Sequence, residues 1–200
     1  MRISGGLAKG RRIATKRSLR VTRYALQERL RPTPSKVREA IFDIIRDRIE
    51  GASFVDLYAG TGTVGLEALS RGAGRAVFAE PNRLRARAIK ENAVKFGFRK
   101  KAIVMDGEAY EFLKRASAEK KRFDIFFLDP PYFSEEIMKT LPIIGEKRLL
   151  NDGGTVIVEH FFKRRLPETV GELKMIRSYR YGDTMLTIYR KKEETEEKGG

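Results

Sequence analysis

From Ser53 onward, short apolar runs alternate with stretches in which apolar residues return every third or fourth position. Phe54-Val55-Asp56-Leu57-Tyr58 predicts a buried strand, and residues 64–71 predict a helix. The alternation continues with a strand at 75–80, a helix at 83–96, a strand at 102–105 and a helix at 109–115. Residues 123–128 form an almost wholly apolar strand; 135–144 are helical, with Pro142 a candidate break; 155–159 are a fifth strand. Strands this apolar, separated by helices, belong in a parallel sheet covered on both faces. The end differs. Residues 173–181 and 185–190 are strand-like around Gly182-Asp183, so an antiparallel hairpin should finish the sheet. The expected fold is α/β: a mostly parallel seven-stranded sheet with a C-terminal antiparallel hairpin and helices on both faces.

Ahead of this core, Val37, Ala40, Ile41, Ile44 and Ile45 recur at helical spacing over residues 36–48. Lys36, Arg38, Glu39, Asp43 and Arg46 occupy the opposite face. Pro32-Thr33-Pro34 breaks the chain before it, and Thr33 or Ser35 can cap the helix. Residues 1–31 read as a small basic extension punctuated by Gly5, Gly6 and Gly10, with a short strand expected at 20–24. Three divisions follow: the extension at 1–31, the main domain at 32–190, and a charged tail at 191–200.

Charge sharpens the picture. The net charge is +15. Within residues 1–31, Lys and Arg face a single acid, Glu28, a concentration that favours a polyanion because neutralised phosphates release counterions. A solvated surface is the plainer reading of the same charge. With 41% hydrophobic residues, 12 Phe and 7 Tyr, the chain can fill a globular core. The absence of Cys excludes disulfides and thiolate chemistry, and the lone His160 excludes a His-rich metal site, so no metal is expected. No apolar run is long enough to cross a bilayer, and the basic start lacks the apolar segment of a signal peptide. The sequence therefore reads as a cytoplasmic monomer that avoids membranes.

Two motifs carry chemistry. Asp56-Leu57-Tyr58-Ala59-Gly60-Thr61-Gly62-Thr63-Val64-Gly65 joins a strand to a helix. Gly60 and Gly62 can adopt left-handed dihedrals and admit a ligand close to the backbone, at the carboxyl edge where such sheets bind ligands. Asp56 would repel a pyrophosphate but suits a ligand with a cationic or hydroxyl-bearing part. S-adenosylmethionine, with its ammonium and sulfonium, fits. Glu80, ending the second strand, can accept from both ribose hydroxyls. Asp106, after the third strand, can accept from the adenine amino group, or simply cap the next helix.

The fourth strand ends in Asp129-Pro130-Pro131-Tyr132. Two prolines make a stiff turn poor in N–H donors. The Asp129 carboxylate and the Pro130 carbonyl can together hold both hydrogens of one NH2 group while Tyr132 stacks on its ring. Phe133 either widens that aromatic wall or packs. Glu159 and His160 end the fifth strand at the same edge, where either can line the mouth of the site.

Taken together, Asp56 to Gly65, Glu80, Asp106 and Asp129 to Tyr132 resemble the ordered motifs of Rossmann-like, S-adenosylmethionine-dependent amino methyltransferases. Met1-Arg2-Ile3, Gly5-Gly6, Gly10-Arg11, Arg31-Pro32-Thr33, Val37 to Phe42, Gly65 to Gly72 and Tyr181 to Thr184 are similar to the bacterial small-subunit (16S) ribosomal RNA guanine-N2 methyltransferases. That resemblance implies a guanosine of small-subunit ribosomal RNA as substrate, within an assembling subunit. It implies Asp129, Pro130 and Tyr132 as the amino pocket, and Asp56, Tyr58, Gly60, Gly62, Glu80 and Asp106 as the cofactor site. It implies Arg11, Arg31, Thr33 and Arg38 as RNA contacts. The chain departs from the family pattern in a longer stretch over 15–30, and in Pro81-Asn82 after Glu80.

A DNA adenine-N6 or cytosine-N4 methyltransferase would use the same loops, but usually needs an added recognition region. A noncatalytic RNA-binding or ribosome-assembly protein explains the charge but not the two loops. A nicotinamide oxidoreductase explains Glu80 and leaves the Asp129 turn without a purpose.

Overall fold

In the computed structural model, which describes residues 1–14 and 34–191, the strand–helix alternation becomes one eight-stranded sheet. In chain order the elements are α1 (Ser35–Ile44), β1 (Ser53–Asp56), α2 (Thr63–Ser70), β2 (Arg75–Ala79), α3 (Arg83–Lys95), β3 (Ala102–Met105) and α4 (Ala109–Ala118). There follow β4 (Phe123–Leu128), α5 (Glu136–Glu146), β5 (Leu150–Phe161), β6 (Thr169–Val170), β7 (Leu173–Tyr181) and β8 (Thr184–Lys191). The strand order is β3-β2-β1-β4-β5-β8-β7-β6. The first five run parallel; β8 returns antiparallel beside β5, and β7 and β6 continue antiparallel. This is a Rossmann-like methyltransferase fold.

The side-chain alternation of the strands sorts the core into two layers. Phe54, Ala76, Phe78, Ile125 and Phe127 face one way, against α1, α2 and α3. Val55, Val77, Ala79, Phe126 and Leu128 face the other, against α4 and α5. Helix α2 approaches the sheet closely. A Cβ built on Gly65 would lie 2.3 Å from Phe78 Cε1, so only glycine lets the helix sit at this depth on β2.

Several boundaries differ from expectation, each for a local reason. The eighth strand, β6, is two residues long and too short to leave a period in the sequence. Strand β5 begins at Leu150, well before the apolar run, because Leu150 already pairs with Phe123; the register then shifts across Asn151-Asp152-Gly153-Gly154, with Gly153 at φ 68°, before Thr155 pairs with Ile125. Helix α1 stops at Ile44 and a single 3-10 turn spans Arg46–Arg48. Its N-cap is Pro34, with no side-chain cap, so Ser35 is a first-turn residue and not the cap. Helix α5 runs unbroken through Pro142. The carbonyl deprived of a partner belongs to Met138, which is 44% exposed, so water can serve it.

The largest departure concerns the N-terminus. Residues 1–14 do not hang off the domain. Ile3, Ala8 and Ile13 are each 1% exposed within the α1–α2–α3 layer. Ala8 N–H donates to Ser70 Oγ (2.8 Å), Leu7 N–H to the Ser70 carbonyl (2.7 Å), and Ala14 N–H to Asn92 Oδ1 (3.0 Å). The strand expected at 20–24 and the tail at 192–200 lie outside the described residues. Among the described residues no helix is long and apolar enough to cross a membrane.

Candidate active site

Both motif loops leave the carboxyl edge of the sheet from adjacent strands. β1 and β4 pair in parallel, with Asp56 opposite Phe127. The ladder continues into the loop: Leu57 N–H donates to the Phe127 carbonyl (3.0 Å), and Ala59 N–H to the Ala79 carbonyl (3.1 Å). Gly60 (φ 54°) and Gly62 (φ 71°) then turn in the left-handed region, at a conformation that would cost another residue roughly 1–2 kcal/mol. Gly62 is the N-cap of α2.

Glu80 shapes this loop from below. One carboxylate oxygen accepts from Gly60 N–H (2.8 Å) and the other from Asn82 N–H (2.9 Å), with Arg85 Nη1 at 3.6 Å. Asn82 has a separate role, since its Oδ1 caps α3 by accepting from Leu84 and Arg85 N–H. Asp56 is 2% exposed and accepts from Gly65 N–H at 3.1 Å. Burial, reinforced by the negative charges of Asp129 and Glu80 and opposed by the Gly65 N–H, pushes its carboxyl up to about 7. Acids from the ends of β1, β2 and β4 thus repel one another in a poorly solvated space. A cationic ligand relieves that repulsion, and S-adenosylmethionine carries cationic sulfonium and ammonium groups; the donor set fits it.

Tyr58 is half-buried. Its hydroxyl lies 3.2 Å from Thr140 Oγ1 and 3.5 Å from Glu136, so it is turned towards α5, and burial raises its pKa. Asp106 is exposed at the end of β3, with Arg83 Nε 3.5 Å away.

The Asp129 turn begins one residue after β4. Pro130 is buried and Tyr132 half-buried. The Tyr132 hydroxyl lies 2.6 Å from Thr184 Oγ1, and its ring centroid is 6.2 Å from Phe161. The following loop is held by Arg164, whose Nη2 donates to the Ser134 carbonyl (2.7 Å) and the Tyr132 carbonyl (3.4 Å). Thr184 belongs to the Tyr181–Thr184 motif, but its contact with Tyr132 is invisible to a motif reading, as is that of Arg164, because they act from β8 and from the segment after β5, far away in sequence. His160, expected at the mouth of the site, is 3% exposed with Nε2 2.8 Å from Thr187 Oγ1 and Nδ1 3.0 Å from the Phe161 carbonyl. Burial lowers its pKa, so it is a neutral brace between strands.

The expected RNA contacts divide. Arg11 is exposed, its Nη1 donating to the Lys95 carbonyl at 3.3 Å. Arg31 and Thr33 lie outside the described residues. Arg38 is a correction. It is 4% exposed, its Nε donates to Glu67 Oε2 at 2.8 Å, and its Nη2 donates to the Arg2 carbonyl at 3.2 Å. The guanidinium binds the N-terminal segment to α2 and is not presented to a nucleic acid. Glu67 itself, 0% exposed, gave no sequence signal beyond its helical position.

A family model described as Conserved hypothetical protein 95 matches residues 1–190. YlbH of Bacillus subtilis strain 168, which carries a provisional name as an rRNA methyltransferase, is 37% identical over 162 residues, covering 81% of this chain and 88% of that one. Ribosomal RNA small subunit methyltransferase D of Escherichia coli K12 is 28% identical over 198 residues, covering 98% of this chain and 92% of that one. The solved structure of hypothetical protein TTHA0928 from Thermus thermophilus superposes with a TM-score of 0.77 at 30% identity, covering 95% of this chain and 99% of that one. The two loops on neighbouring strands, the buried acids suited to a cationic cofactor, and these likenesses make the chain a member of the Conserved hypothetical protein 95 family: a Rossmann-like, S-adenosylmethionine-dependent methyltransferase related to the small-subunit ribosomal RNA methyltransferase D proteins.

Proposed function

We propose that this enzyme transfers a methyl group from S-adenosylmethionine to the exocyclic 2-amino group of a guanosine in small-subunit (16S) ribosomal RNA. The observation that carries the reading is the position of the Asp129–Tyr132 turn on β4, directly beside the Asp56 loop on β1. The relatives named for small-subunit ribosomal RNA support the choice of nucleic acid. So does the charge of +15.

When bound, the cofactor supplies an electrophilic methyl on a positively charged sulfur. The chain's own contribution is orientation. Asp129 and the Pro130 carbonyl accept the two amino hydrogens, which favours a pyramidal nitrogen with its lone pair directed at the methyl. Tyr132, braced by Thr184 and Phe161, stacks on the base. With S-adenosylmethionine bound, the methyl would pass from the sulfonium to the amino nitrogen and leave a neutral thioether; Asp129 would take the surplus amine proton and pass it to water. The base must be unpaired or flipped, at a cost of roughly a few kcal/mol, against which stacking returns about 1–3 kcal/mol. Arg11, Arg31 and Thr33 engage the RNA, within an assembling subunit, and the enzyme works as a monomer.

The test supplies labelled S-adenosylmethionine with naked 16S RNA, partly assembled small subunits and DNA, then identifies the product by nucleoside mass spectrometry. N2-methylguanosine in the RNA samples is expected. N6-methyladenine or N4-methylcytosine in DNA, with unmodified RNA, would overturn the proposal. Asp129→Ala should abolish transfer while cofactor binding remains measurable, since Asp56 and Glu80 stay in place and the lost group acts chiefly on the acceptor.

A further inference from the structure

Beyond the amino pocket, the same edge of the sheet carries an aromatic and basic surface with no role in the reaction as described. Phe133 is 85% exposed, immediately after Tyr132. A lone exposed apolar residue needs no explanation, but this one is continuous with a cluster. Its ring centroid is 5.8 Å from Phe161, which also contacts Tyr132 at 6.2 Å and Phe162 at 4.9 Å. The Phe162 ring is covered: Arg180 lies 3.8 Å from its centroid and Lys163 Nζ 5.8 Å. Phe133 has only Phe161 at its edge among the described ring contacts, and projects into solvent. The loop bearing it is not loose, because Arg164 clamps the carbonyls on either side, at Tyr132 and Ser134.

The charge around these rings is mostly positive. Lys163, Arg165 and Arg180 are exposed. The facing acids are Glu135, 3.4 Å from Arg164, and Asp183, whose carbonyl accepts from Phe162 N–H. A protein-binding patch would be expected to shed lysine from its centre. A rigid exposed ring next to cations is instead the composition of a single-strand nucleic-acid platform.

We propose that Phe133 is a stacking subsite for an unpaired nucleotide flanking the methylated base, with Lys163 and Arg180 neutralising the phosphates that join the two. The inference rests on the proposed function for its choice of RNA. In this arrangement the target base enters between Asp129 and Tyr132 and its neighbour is caught on Phe133, so that the flipped strand is held at two points. Such a clamp selects against a fully stacked duplex.

The test reads binding alone, so it does not depend on which atom is methylated. Fluorescence anisotropy would compare a labelled single-stranded RNA of about 12 nucleotides, within the usual span of such sites, with the same sequence in a duplex. Phe133→Ala should weaken single-strand binding about five- to 150-fold, the range for one lost base–aromatic stack, and change duplex binding little. Phe133→Trp should restore it. Lys163→Ala and Arg180→Ala should each flatten the salt dependence, by a slope of ~0.7 per lost phosphate contact. The high exposure of Phe133 leaves the melting temperature unchanged. Equal single-strand affinity for wild type and Phe133→Ala would overturn the subsite, as would equal losses on both RNAs. If nucleoside mass spectrometry returned no methylguanosine while the Phe133 result held, the proposed reaction would fail and the subsite would stand.

Discussion

Glu67 should be the most damaging single truncation outside the catalytic loops. Its carboxylate is fully buried, yet it serves three partners. Oε2 accepts from Arg38 Nε (2.8 Å) and from Ser4 N–H (3.3 Å). Oε1 accepts from Arg71 Nε (3.0 Å) and Nη2 (2.9 Å), and from the Ser4 hydroxyl. Glu67→Ala leaves the Arg38 side chain, 5% exposed, with a charge held by little more than the Arg2 carbonyl. Breaking a buried pair from one side costs about 3–5 kcal/mol. In a chain of this size each kcal/mol moves the melting temperature by ~2–4 °C, so a fall of roughly 6–20 °C is expected. Thermal unfolding followed by circular dichroism measures it. Hydrogen exchange adds location: the amides of Ile3, Gly10 and Ile13, bonded within residues 1–14, should exchange faster while Leu57 in the sheet is protected. Glu67→Leu combined with Arg38→Met should recover much of the loss, because a packed apolar pair replaces a buried ionic one with little penalty. A melting temperature within ~2 °C of wild type for Glu67→Ala, less than one kcal/mol on the same scale, with unchanged exchange at Ile3, would refute the latch.

Two further outcomes follow from the site. Asp56, with its carboxyl raised to about 7, keeps its proton in the folded cofactor-free protein at pH values where the unfolded chain has lost it. Stability should therefore fall as pH rises from about 4 to 7, by at most on the order of 4 kcal/mol, and then level off; urea midpoints at about pH 5, early in that fall, and at about pH 8, beyond it, should differ less in Asp56→Asn, and equal differences would reject the assignment. The sign reverses for the cofactor, since a cation prefers the ionised carboxylate, so calorimetric affinity for S-adenosylmethionine should be tighter at about pH 8 than at about pH 6. Gly65→Ala would be favoured by helix propensity by ~1 kcal/mol. Its Cβ would nonetheless meet Phe78 Cε1 at 2.3 Å, and overpacking of that kind costs about 1–3 kcal/mol, so a net loss of up to about 2 kcal/mol is expected in chemical denaturation, and a stabilised variant would contradict the packing.

The sheet was legible in the sequence where burial on both faces writes a continuous apolar run. Strands β3 and β4 match their predicted bounds, and β7 does as well. The placement of the two loops was equally legible, because Asp56, Gly60, Gly62 and the Asp129 turn are contiguous with strand ends. What failed is long-range. Ile3, Ala8 and Ile13 are spaced five apart, matching neither helix nor strand, because a looped segment buries whichever residues its turns direct inward. Arg38 sits on the polar face of α1, and periodicity has no means of telling a solvated guanidinium from one facing a buried Glu67. Tyr132 was found, but the hydroxyl of Thr184 that fixes it comes from β8, 52 residues away.

The pairing of Phe54, Val55 and Asp56 with Ile125, Phe126 and Phe127 has a wider implication. Main-chain geometry sets the spacing between the bases of the Asp56 loop and the Asp129 turn, since neighbouring strands lie about 4.8 Å apart whatever side chains they bear. The residues after Leu128 can be rewritten, or the surrounding loops lengthened, while the distance between the two strand ends is held as by a ruler. A slip of one residue between these two strands would do the opposite: it would displace the turn by about 3.3 Å and exchange its inward and outward faces. Evolution along this scaffold is free in its fringes and locked in its central ladder.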